Sequence, residues 1–353
     1  MIGFTFLCLL SSNLLNLFQK DGSTFGFAAV PNGAEFDNSI DAGPEPHLEK
    51  PEVSDIRNLI RAYNNDKRPV CPCGLIGHTR HKRVIGGSPA DIHAYPFAVS
   101  LRKTLSNGAP YPYCGGTILT ERHIVTASHC LLNKLPGDLS VEVGRTNISG
   151  IETRADPFIR RVVRIERHAF YDQPTYNSDI AVLTLDRPLQ FGTTINPACI
   201  PPYGSDVLDG TPGQVVGWGR LAYKGKKSET LQNVTLPIVS RTQCQKPLKH
   251  RVSTNMICAG GLEERDACVG DSGGPLVVKS RNTALLIGVV SFGKKCGLPN
   301  VYGVYTRVGL YVRFLYEKTL DSNCKPGIMS MRDYRSVGDT NAWVQYSVNR
   351  RPL

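Results

Sequence analysis

The chain has 353 residues, of which 41% are hydrophobic and 20% charged, a composition typical of globular proteins and not of disordered ones. Its 34 glycines and 24 prolines favour a loop-rich β fold over a helical bundle. The formal net charge of +11 favours acidic partners without bearing on the fold, and the sequence shows no motif for specific nucleic-acid recognition.

Residues 1–20 are predicted to form a signal peptide. Positions 2–18 are apolar but interrupted by Ser and Asn, and Lys20 and Asp21 follow. Such a stretch is short and polar for a membrane-spanning helix, so we expect a secreted, extracellular protein, with a retained anchor as the alternative. No later segment is long and apolar enough to cross a bilayer, and we expect no membrane partner.

Residues 21–83 are predicted to be a pro-region. Its first part, 22–56, is rich in Pro, Gly and acidic residues, so it buries too little apolar surface to offset the entropy of ordering. We expect this part to be flexible. The second part, 57–83, turns basic, contains Cys71 and Cys73, and ends in the sequence RHKR.

From Val84 onward, short runs of β-branched and aromatic residues alternate with Gly and Pro. These runs predict strands at 97–101, 116–120, 123–128, 179–185, 213–219, 284–292 and 303–308. Many short strands separated by turns are typical of an all-β barrel or sandwich. Residues 310–320 are predicted to form one closing helix, and residues 321–353 a polar, basic C-terminal extension without a clear period.

The chain contains 11 cysteines, nearly all of them between Cys71 and Cys324. They are not arranged in the paired CxxC groups of a zinc site, so they predict several disulfides formed in an oxidising compartment. Removal of the signal peptide takes Cys8 with it and leaves ten cysteines.

Three short segments carry residues used in nucleophilic catalysis: TASHC with His129, NSDIA with Asp179, and GDSGGP with Ser272. Alone, each has a structural explanation, such as a surface histidine, a turn aspartate or a glycine-rich tight turn. Together and in this order they resemble the chymotrypsin-like (S1) serine proteases over residues 84–320, the predicted peptidase domain. The resemblance implies an all-β fold of two antiparallel six-stranded β-barrels with a C-terminal helix, and a catalytic cleft between the barrels.

The resemblance also assigns chemical roles. Ser272 is the nucleophile, His129 the general base, and Asp179 the buried carboxylate that orients the imidazole. The amides of Gly270 and Ser272 form the oxyanion hole. Ser291 supports Asp179 and lines the strand that binds substrate. The implied activity is that of a serine endopeptidase acting through an acyl-enzyme, with no metal or other cofactor required.

The sequence RVIGG at 83–87 matches the zymogen junction of the same family. Cleavage between Arg83 and Val84 creates an α-ammonium group, which in relatives inserts beside the residue that corresponds to Asp271. The apolar Val84 side chain follows the amine into the interior. Because RHKR fits the R-x-K-R pattern, a furin-like convertase is one candidate activator, and a trypsin-like protease is the other.

Specificity for Arg or Lys before the cut is implied by Asp266, six residues before Ser272. Relatives with a carboxylate there pair it with a cationic side chain at the floor of a narrow slot. Gly293 and Gly303 match the small residues that form the walls of that slot.

Two departures from the family pattern predict a restricted protease. Phe292 replaces the usual Trp on the substrate-binding segment. Lys294 and Lys295 lie at the rim of the slot, where they are expected to favour acidic residues before the cut.

By resemblance, the family's disulfides are Cys114–Cys130, Cys244–Cys258 and Cys268–Cys296. Cys199 is expected to tether the pro-region through Cys71 or Cys73. The remaining one of those two, and Cys324, bond either each other or a second molecule.

Four positions bear on whether the protein binds metal ions or carries N-linked glycans. Arg145 stands where calcium-binding relatives carry an acid, so we expect no calcium site. Tyr302 is compatible either with a sodium ion nearby or with simple packing. Asn147 and Asn233 begin N-x-S/T sequons and are the candidate glycosylation sites.

A basic stretch at 154–168 is either a solvated strand face or an exosite for an acidic protein or polysaccharide. Its cations are Arg154, Arg160, Arg161, Arg164 and Arg167. Other expected partners are protein substrates, an activating protease, and serpin- or Kunitz-type inhibitors. The rival hypotheses are a non-catalytic protease homologue acting as a cofactor in a cascade, and a secreted binding module built on residues 22–83.

Overall fold

The computed structural model describes residues 53–77, 87–148, 156–207, 209–248, 252–280 and 283–338. The predicted signal peptide, most of the pro-region and the junction at Arg83 and Val84 lie outside these ranges. No described helix is long and apolar enough to cross a membrane.

The described residues form mostly β-strands joined by short loops. The strands are β1 (Ser88–Pro89), β2 (Ala98–Thr104), β3 (Pro110–Ile118), β4 (His123–Thr126), β5 (Leu139–Val143), β6 (Ile159–Arg167), β7 (Ala181–Leu185), β8 (Pro212–Gly217), β9 (Gln232–Val239), β10 (Met256–Gly260), β11 (Pro275–Ser280), β12 (Thr283–Phe292) and β13 (Tyr302–Arg307). The α-helices are α1 (Val53–Asn65), α2 (Arg241–Gln245), α3 (Val312–Glu317) and α4 (Met331–Gly338).

The first barrel is a closed antiparallel sheet in the order β2-β3-β4-β7-β6-β5. Ile118, Ile124 and Leu183 are fully buried in its core. Thr126, at the end of β4, pairs with Ala181, at the start of β7. The residues that follow β4 and those that precede β7 therefore meet at the same edge, and these segments carry His129 and Asp179.

The second barrel has the order β9-β10-β13-β12-β11-β8, closed by pairing of β8 with β9, and β1 adds to it beside β9. The turn with Ser272 directly precedes β11, and Ser291 lies near the end of β12. The Gly115 amide of β3 donates a 2.7 Å hydrogen bond to the Ser272 carbonyl, which joins the two barrels at the serine. The predicted all-β, two-barrel fold is confirmed.

The predicted helix at 310–320 is shorter than expected. A 3-10 turn at Val308–Leu310 comes first, and α3 covers only Val312–Glu317. Between them Tyr311 has a non-helical backbone, with φ −109° and ψ 11°. This residue is buried and its hydroxyl donates to Ser178 Oγ at 3.2 Å, so a tertiary contact interrupts the helix.

Residues 53–77 and 321–338 pack against each other and against the barrels. Of the segment 22–56, expected to be flexible, only residues 53–56 are described, and they begin α1; the C-terminal extension contains α4. Val70 bridges Lys325 in parallel pairing. The buried Lys325 Nζ donates to the carbonyls of Tyr63 (2.7 Å) and Asp66 (2.8 Å), which lie at the C-terminal end of α1.

Candidate active site

His129 and Asp179 form a tightly coupled pair. Asp179 is fully buried, whereas His129 keeps 20% of its side chain exposed. His129 Nδ1 lies 2.7 Å from Asp179 Oδ2, and the His129 amide donates to Asp179 Oδ1 at 2.9 Å. Both carboxylate oxygens therefore hold the histidine, which orients the imidazole and leaves Nε2 facing the cleft.

The carboxylate of Asp179 has a third donor. Ser291 Oγ donates to Asp179 Oδ2 at 2.6 Å, and Thr306 Oγ1 donates to the Asp179 carbonyl at 2.7 Å. These bonds come from β12 and β13 of the second barrel, so the orientation of Asp179 depends on both barrels.

The serine lies on a turn built from glycines. Gly270 and Gly273 have φ values of +105° and +79°, a region that favours glycine. A Cβ on Gly273 would lie 2.7 Å from the Gly115 carbonyl, so a side chain is excluded there. In the described part of the chain, neither the Gly270 nor the Ser272 amide donates a hydrogen bond, and both are available to an oxyanion.

His129 and Ser272 line one pocket of about 280 Å³ together with the predicted specificity residues Asp266, Ser291, Gly293 and Gly303. No hydrogen bond joins Ser272 Oγ to His129 among the described residues, and this contact is often long in enzymes without substrate. A Cβ on Gly303 would lie 2.9 Å from the Tyr305 hydroxyl, so only glycine leaves this wall of the pocket open.

Asp266 is one of the residues that line this pocket. Burial raises its pKa to about 7, although the Gly297 amide, 3.4 Å from Oδ2, partly lowers it. Its Oδ1 atom is buried without a hydrogen-bond partner in the described part of the chain. A buried carboxylate with an unsatisfied oxygen attracts a cation.

The comparisons agree with this geometry. The family model described as Trypsin matches residues 84–315. The chain belongs to the trypsin family.

Three members of the family illustrate the likeness. Coagulation factor IX of Oryctolagus cuniculus is 38% identical over 237 residues, which cover 66% of this chain and 83% of that protein. Proclotting enzyme of Tachypleus tridentatus is 34% identical over 330 residues, which cover 88% of this chain and 84% of that protein. Serine protease filzig of Drosophila melanogaster is 37% identical over 257 residues, covering 70% of this chain but only 15% of filzig. The chain is therefore a trypsin-family serine protease homologous to clotting factors.

Two aromatic residues of the protease cleft were missed by the sequence analysis. Tyr176 has a backbone φ of +58°. The centre of its ring lies 5.8 Å from that of His129 and 5.2 Å from that of Phe292. Tyr223 lines the pocket, and Lys295 Nζ lies 6.0 Å from its ring. Tyr176 lies only three residues before Asp179, the one sequence signal that pointed to it.

Five disulfides are present among the described residues. Three are the pairs expected from the family: Cys114–Cys130, Cys244–Cys258 and Cys268–Cys296. Of the two candidate partners of Cys199, the structure pairs it with Cys73, and Cys71 pairs with Cys324. The segment 53–77 is thus linked once to the trypsin-family domain, at Cys199, and once to the C-terminal extension, at Cys324.

A second cavity, of about 460 Å³, opens beside Asp271 and is lined by Gly87, Gly217 and Gly219. A Cβ on Gly219 would overlap the Asp271 carboxylate, so glycine is required there. Burial raises the pKa of Asp271, while hydrogen bonds from the Cys268 (2.9 Å) and Gly219 (2.8 Å) amides lower it. Arg83 and Val84 lie outside the described residues.

Some arginines of the basic stretch at 154–168 are buried or ion-paired, and others are exposed. Arg160 is buried and donates to the Pro157 and Ile159 carbonyls. Arg164 is paired with Asp321 at 2.9 Å and with Glu166 at 3.6 Å. Arg161 and Arg167 are exposed, and Arg154 lies outside the described residues.

The two positions considered for calcium and sodium, Arg145 and Tyr302, both contact neighbouring side chains. Arg145 forms ion pairs with Glu142 (3.1 Å) and Asp156 (2.9 Å). Gln243 Nε2 donates to the Tyr302 hydroxyl at 2.8 Å.

The two sequon asparagines differ in exposure. Asn147 is exposed, whereas Asn233 is 9% exposed and donates to Ser88 Oγ at 3.3 Å. Of the two sequons, Asn147 is therefore the better placed for a glycan.

Proposed function

We propose that the protein is a secreted serine endopeptidase, made as a zymogen, activated by cleavage between Arg83 and Val84, and specific for Arg or Lys before the cut. The observation that carries the specificity is the buried Asp266 oxygen without a hydrogen-bond partner among the described residues, in the pocket that Ser272 also lines. An arginine or lysine side chain supplies both the charge and the donors that this carboxylate lacks.

The chemistry follows from the positions of the side chains. His129 Nε2 takes the proton of Ser272 Oγ as this oxygen attacks the scissile carbonyl carbon, and the amides of Gly270 and Ser272 stabilise the oxyanion. The tetrahedral intermediate collapses as His129 gives the proton to the leaving amine. Water, activated by the same histidine, then hydrolyses the acyl-enzyme and regenerates Ser272. Asp179 stabilises the imidazolium in both steps.

Activation is proposed to use the cavity beside Asp271. The buried carboxylate, whose pKa burial raises, is stabilised by a nearby cation. The α-ammonium group of Val84 is the cation created by cleavage, and Gly87 at the mouth of the cavity is three residues after it. N-terminal sequencing of secreted protein, with and without a convertase inhibitor, distinguishes a furin-like activator from a trypsin-like one.

Substrate preference before the cut is proposed to come from Tyr176, Phe292 and the two exposed lysines 294 and 295. The two rings form an aromatic surface beside His129. The lysines favour acidic residues upstream of the arginine. A peptide library indifferent to acidic residues at the three positions before P1 contradicts this preference.

The names of two relatives support a role in a protease cascade. Proclotting enzyme resembles this chain across 88% of its length, and coagulation factor IX across 66%. We infer that the substrate is a protein cut at few sites, that another protease activates the zymogen, and that serpin- or Kunitz-type inhibitors control it. An acidic protein or polysaccharide partner would use Arg161 and Arg167, which are exposed and, among the described residues, form no ion pair, unlike the exposed Arg164.

No metal is proposed for the reaction. The Arg145 guanidinium between Glu142 and Asp156 supplies the positive charge that calcium supplies in other relatives. A sodium ion near Tyr302 remains a secondary proposal, tested by comparing activity in sodium and choline salts at equal ionic strength.

The deciding experiment uses recombinant protein cleaved at Arg83. We expect it to hydrolyse a tripeptide-arginine anilide and to react with a fluorophosphonate at Ser272, and we expect the Ser272→Ala variant to do neither. Cleaved, folded wild-type protein that is inert in both assays contradicts the proposal and favours the non-catalytic homologue.

A further inference from the structure

The cleft has a second charged side, opposite the Asp266 pocket. Strand β3 touches the catalytic turn through the hydrogen bond from the Gly115 amide to the Ser272 carbonyl, at 2.7 Å. The same strand carries Tyr111 and Tyr113 away from the serine. No carboxylate lines the small cavity of about 10 Å³ that Tyr113, Lys227 and Gly270 share.

Lys227 reaches this side from the loop between β8 and β9. A Cβ on Gly270 would lie 3.3 Å from Lys227 Cε and 3.7 Å from Nζ. The ammonium group therefore lies beside the glycine whose amide is expected to bind the oxyanion.

The Lys227 side chain is held in place. Its Nζ donates to the Pro112 carbonyl at 2.7 Å and lies 4.7 Å from the centre of the Tyr111 ring. Lys103 Nζ lies 5.8 Å and 5.7 Å from the Tyr111 and Tyr113 rings. Among the described residues neither lysine forms an ion pair with a carboxylate. An ammonium group has three N–H donors, so Lys227 has donors to spare.

The path of the substrate leads past this group. A peptide whose basic side chain enters the Asp266 pocket has its acyl part on that side of Ser272. The part after the cleaved bond must leave on the other side, over the Cys114–Cys130 disulfide. Cys130 Sγ lies 3.6 Å from the Ser272 carbonyl and 3.7 Å from His129 Nε2, so this disulfide borders the reacting atoms.

We propose that Lys227 is a specificity-determining residue that selects an acidic residue at the first or second position after the cleaved bond. The inference rests on the proposed function. The Lys227 charge also acts on the buried Asp271 carboxylate, but its spare N–H donors remain. A positioned ammonium group of this kind attracts a carboxylate and repels a lysine or arginine at the same position. Lys103 adds positive charge to the same surface. It is expected to contribute less, because Lys227 and not Lys103 is among the nearest neighbours of Gly270.

The test uses internally quenched peptides with one arginine and with Glu, Gln or Lys at each of the two positions after it. Enzyme cleaved at Arg83 is used, and rates are normalised to the concentration of titrated active sites. We expect kcat/KM for Glu to exceed that for Lys by about five- to tenfold at one of the two positions. Lys227→Met is expected to reduce this ratio to within about twofold, whereas Lys227→Arg retains it.

Lys226→Met is the matched control, since Lys226 is an exposed neighbour in the same loop, and it should keep the wild-type ratio. Lys103→Met should lower the ratio by a smaller factor and covers the case in which Lys227→Met does not fold. The wild-type ratio should also shrink at high salt, which screens charges.

An unchanged ratio in Lys227→Met, or an equal loss in Lys226→Met, overturns the inference. Wild-type enzyme that cleaves every arginyl peptide equally contradicts only this inference. Wild-type enzyme that cleaves none of them contradicts the proposed function itself.

Discussion

Ser291 Oγ donates to Asp179 Oδ2 at 2.6 Å, and the same carboxylate oxygen lies 2.7 Å from His129 Nδ1. Ser291 belongs to the second barrel, whereas His129 follows a strand of the first. One oxygen atom therefore couples the docking of the two barrels to the orientation of the general base.

Ser291→Ala tests this coupling. Removing a hydrogen bond to a charged group costs about 1.5–3 kcal/mol, so we expect kcat/KM to fall by about tenfold or more. The resonance of the proton between His129 and Asp179 should shift in the NMR spectrum, which a purely structural effect would not cause. Thr306→Val, which removes a bond to the Asp179 carbonyl instead of the carboxylate, is the control and should leave that resonance in place.

Asp266 predicts a pH-dependent affinity for cationic ligands. Its pKa of about 7 in the free enzyme means that protons compete with the ligand below neutral pH. We expect benzamidine affinity to rise about tenfold per pH unit up to about pH 7 and to level off above it. Asp266→Ser should bind weakly with a much flatter profile. The same steep rise in that variant would assign the titration to another group.

The same carboxyl group predicts an effect on stability. Its folded-state pKa, about 7, lies above the ordinary value of 3.8, so the folded state binds the proton more tightly. The resulting stabilisation is complete at pH values below about 4 and is lost as pH rises through 7. Asp266→Asn should therefore raise the free energy of unfolding at pH 8, by at most about 4 kcal/mol, and far less at pH 4. The measurement is Tm at the two pH values. Equal changes at both pH values contradict this.

The light chain should stay attached through either of two disulfides. Cleavage at Arg83 leaves Cys71 and Cys73 on the light chain, and their partners Cys324 and Cys199 on the chain that begins at Val84. Replacing either pair with serine should leave the two chains linked on a non-reducing denaturing gel. Only replacement of all four cysteines should release the light chain. Release after loss of one pair alone would show that the other does not form.

Arg145→Glu should destabilise the first barrel. The substitution places a third carboxylate beside Glu142 and Asp156, of which Glu142 is almost fully buried. Breaking a buried ion pair typically costs about 3–5 kcal/mol, and added calcium should recover part of the loss in the variant. Wild-type protein should show the same Tm with and without a chelator. Arg161→Glu, at an exposed site, is the control.

Much of the architecture could be predicted because it is encoded locally. Short apolar runs such as 179–185 and 284–292 indicated strands β7 and β12, and the glycines at 270, 273 and 274 indicated a tight turn. Strands β1, β5, β6, β9, β10 and β11 were not predicted. Strand β6 carries five charged residues among nine, whereas β5 (LSVEV) does alternate and was overlooked. Their assignment depends on pairing with distant strands.

The sequence by itself determined the family, the two-barrel fold and the order in which histidine, aspartate and serine occur, since each lies in a short motif whose neighbours are constrained. Only the tertiary structure decided that Cys324 pairs with Cys71, which lies 253 residues before it. It alone also decided that the Tyr176 ring lies beside His129. It also placed Lys227 next to Gly270 and left one oxygen of Asp266 without a donor in the described part of the chain. Such contacts join segments far apart in the chain, and burial and distance across the cleft leave no trace in the local order of residues.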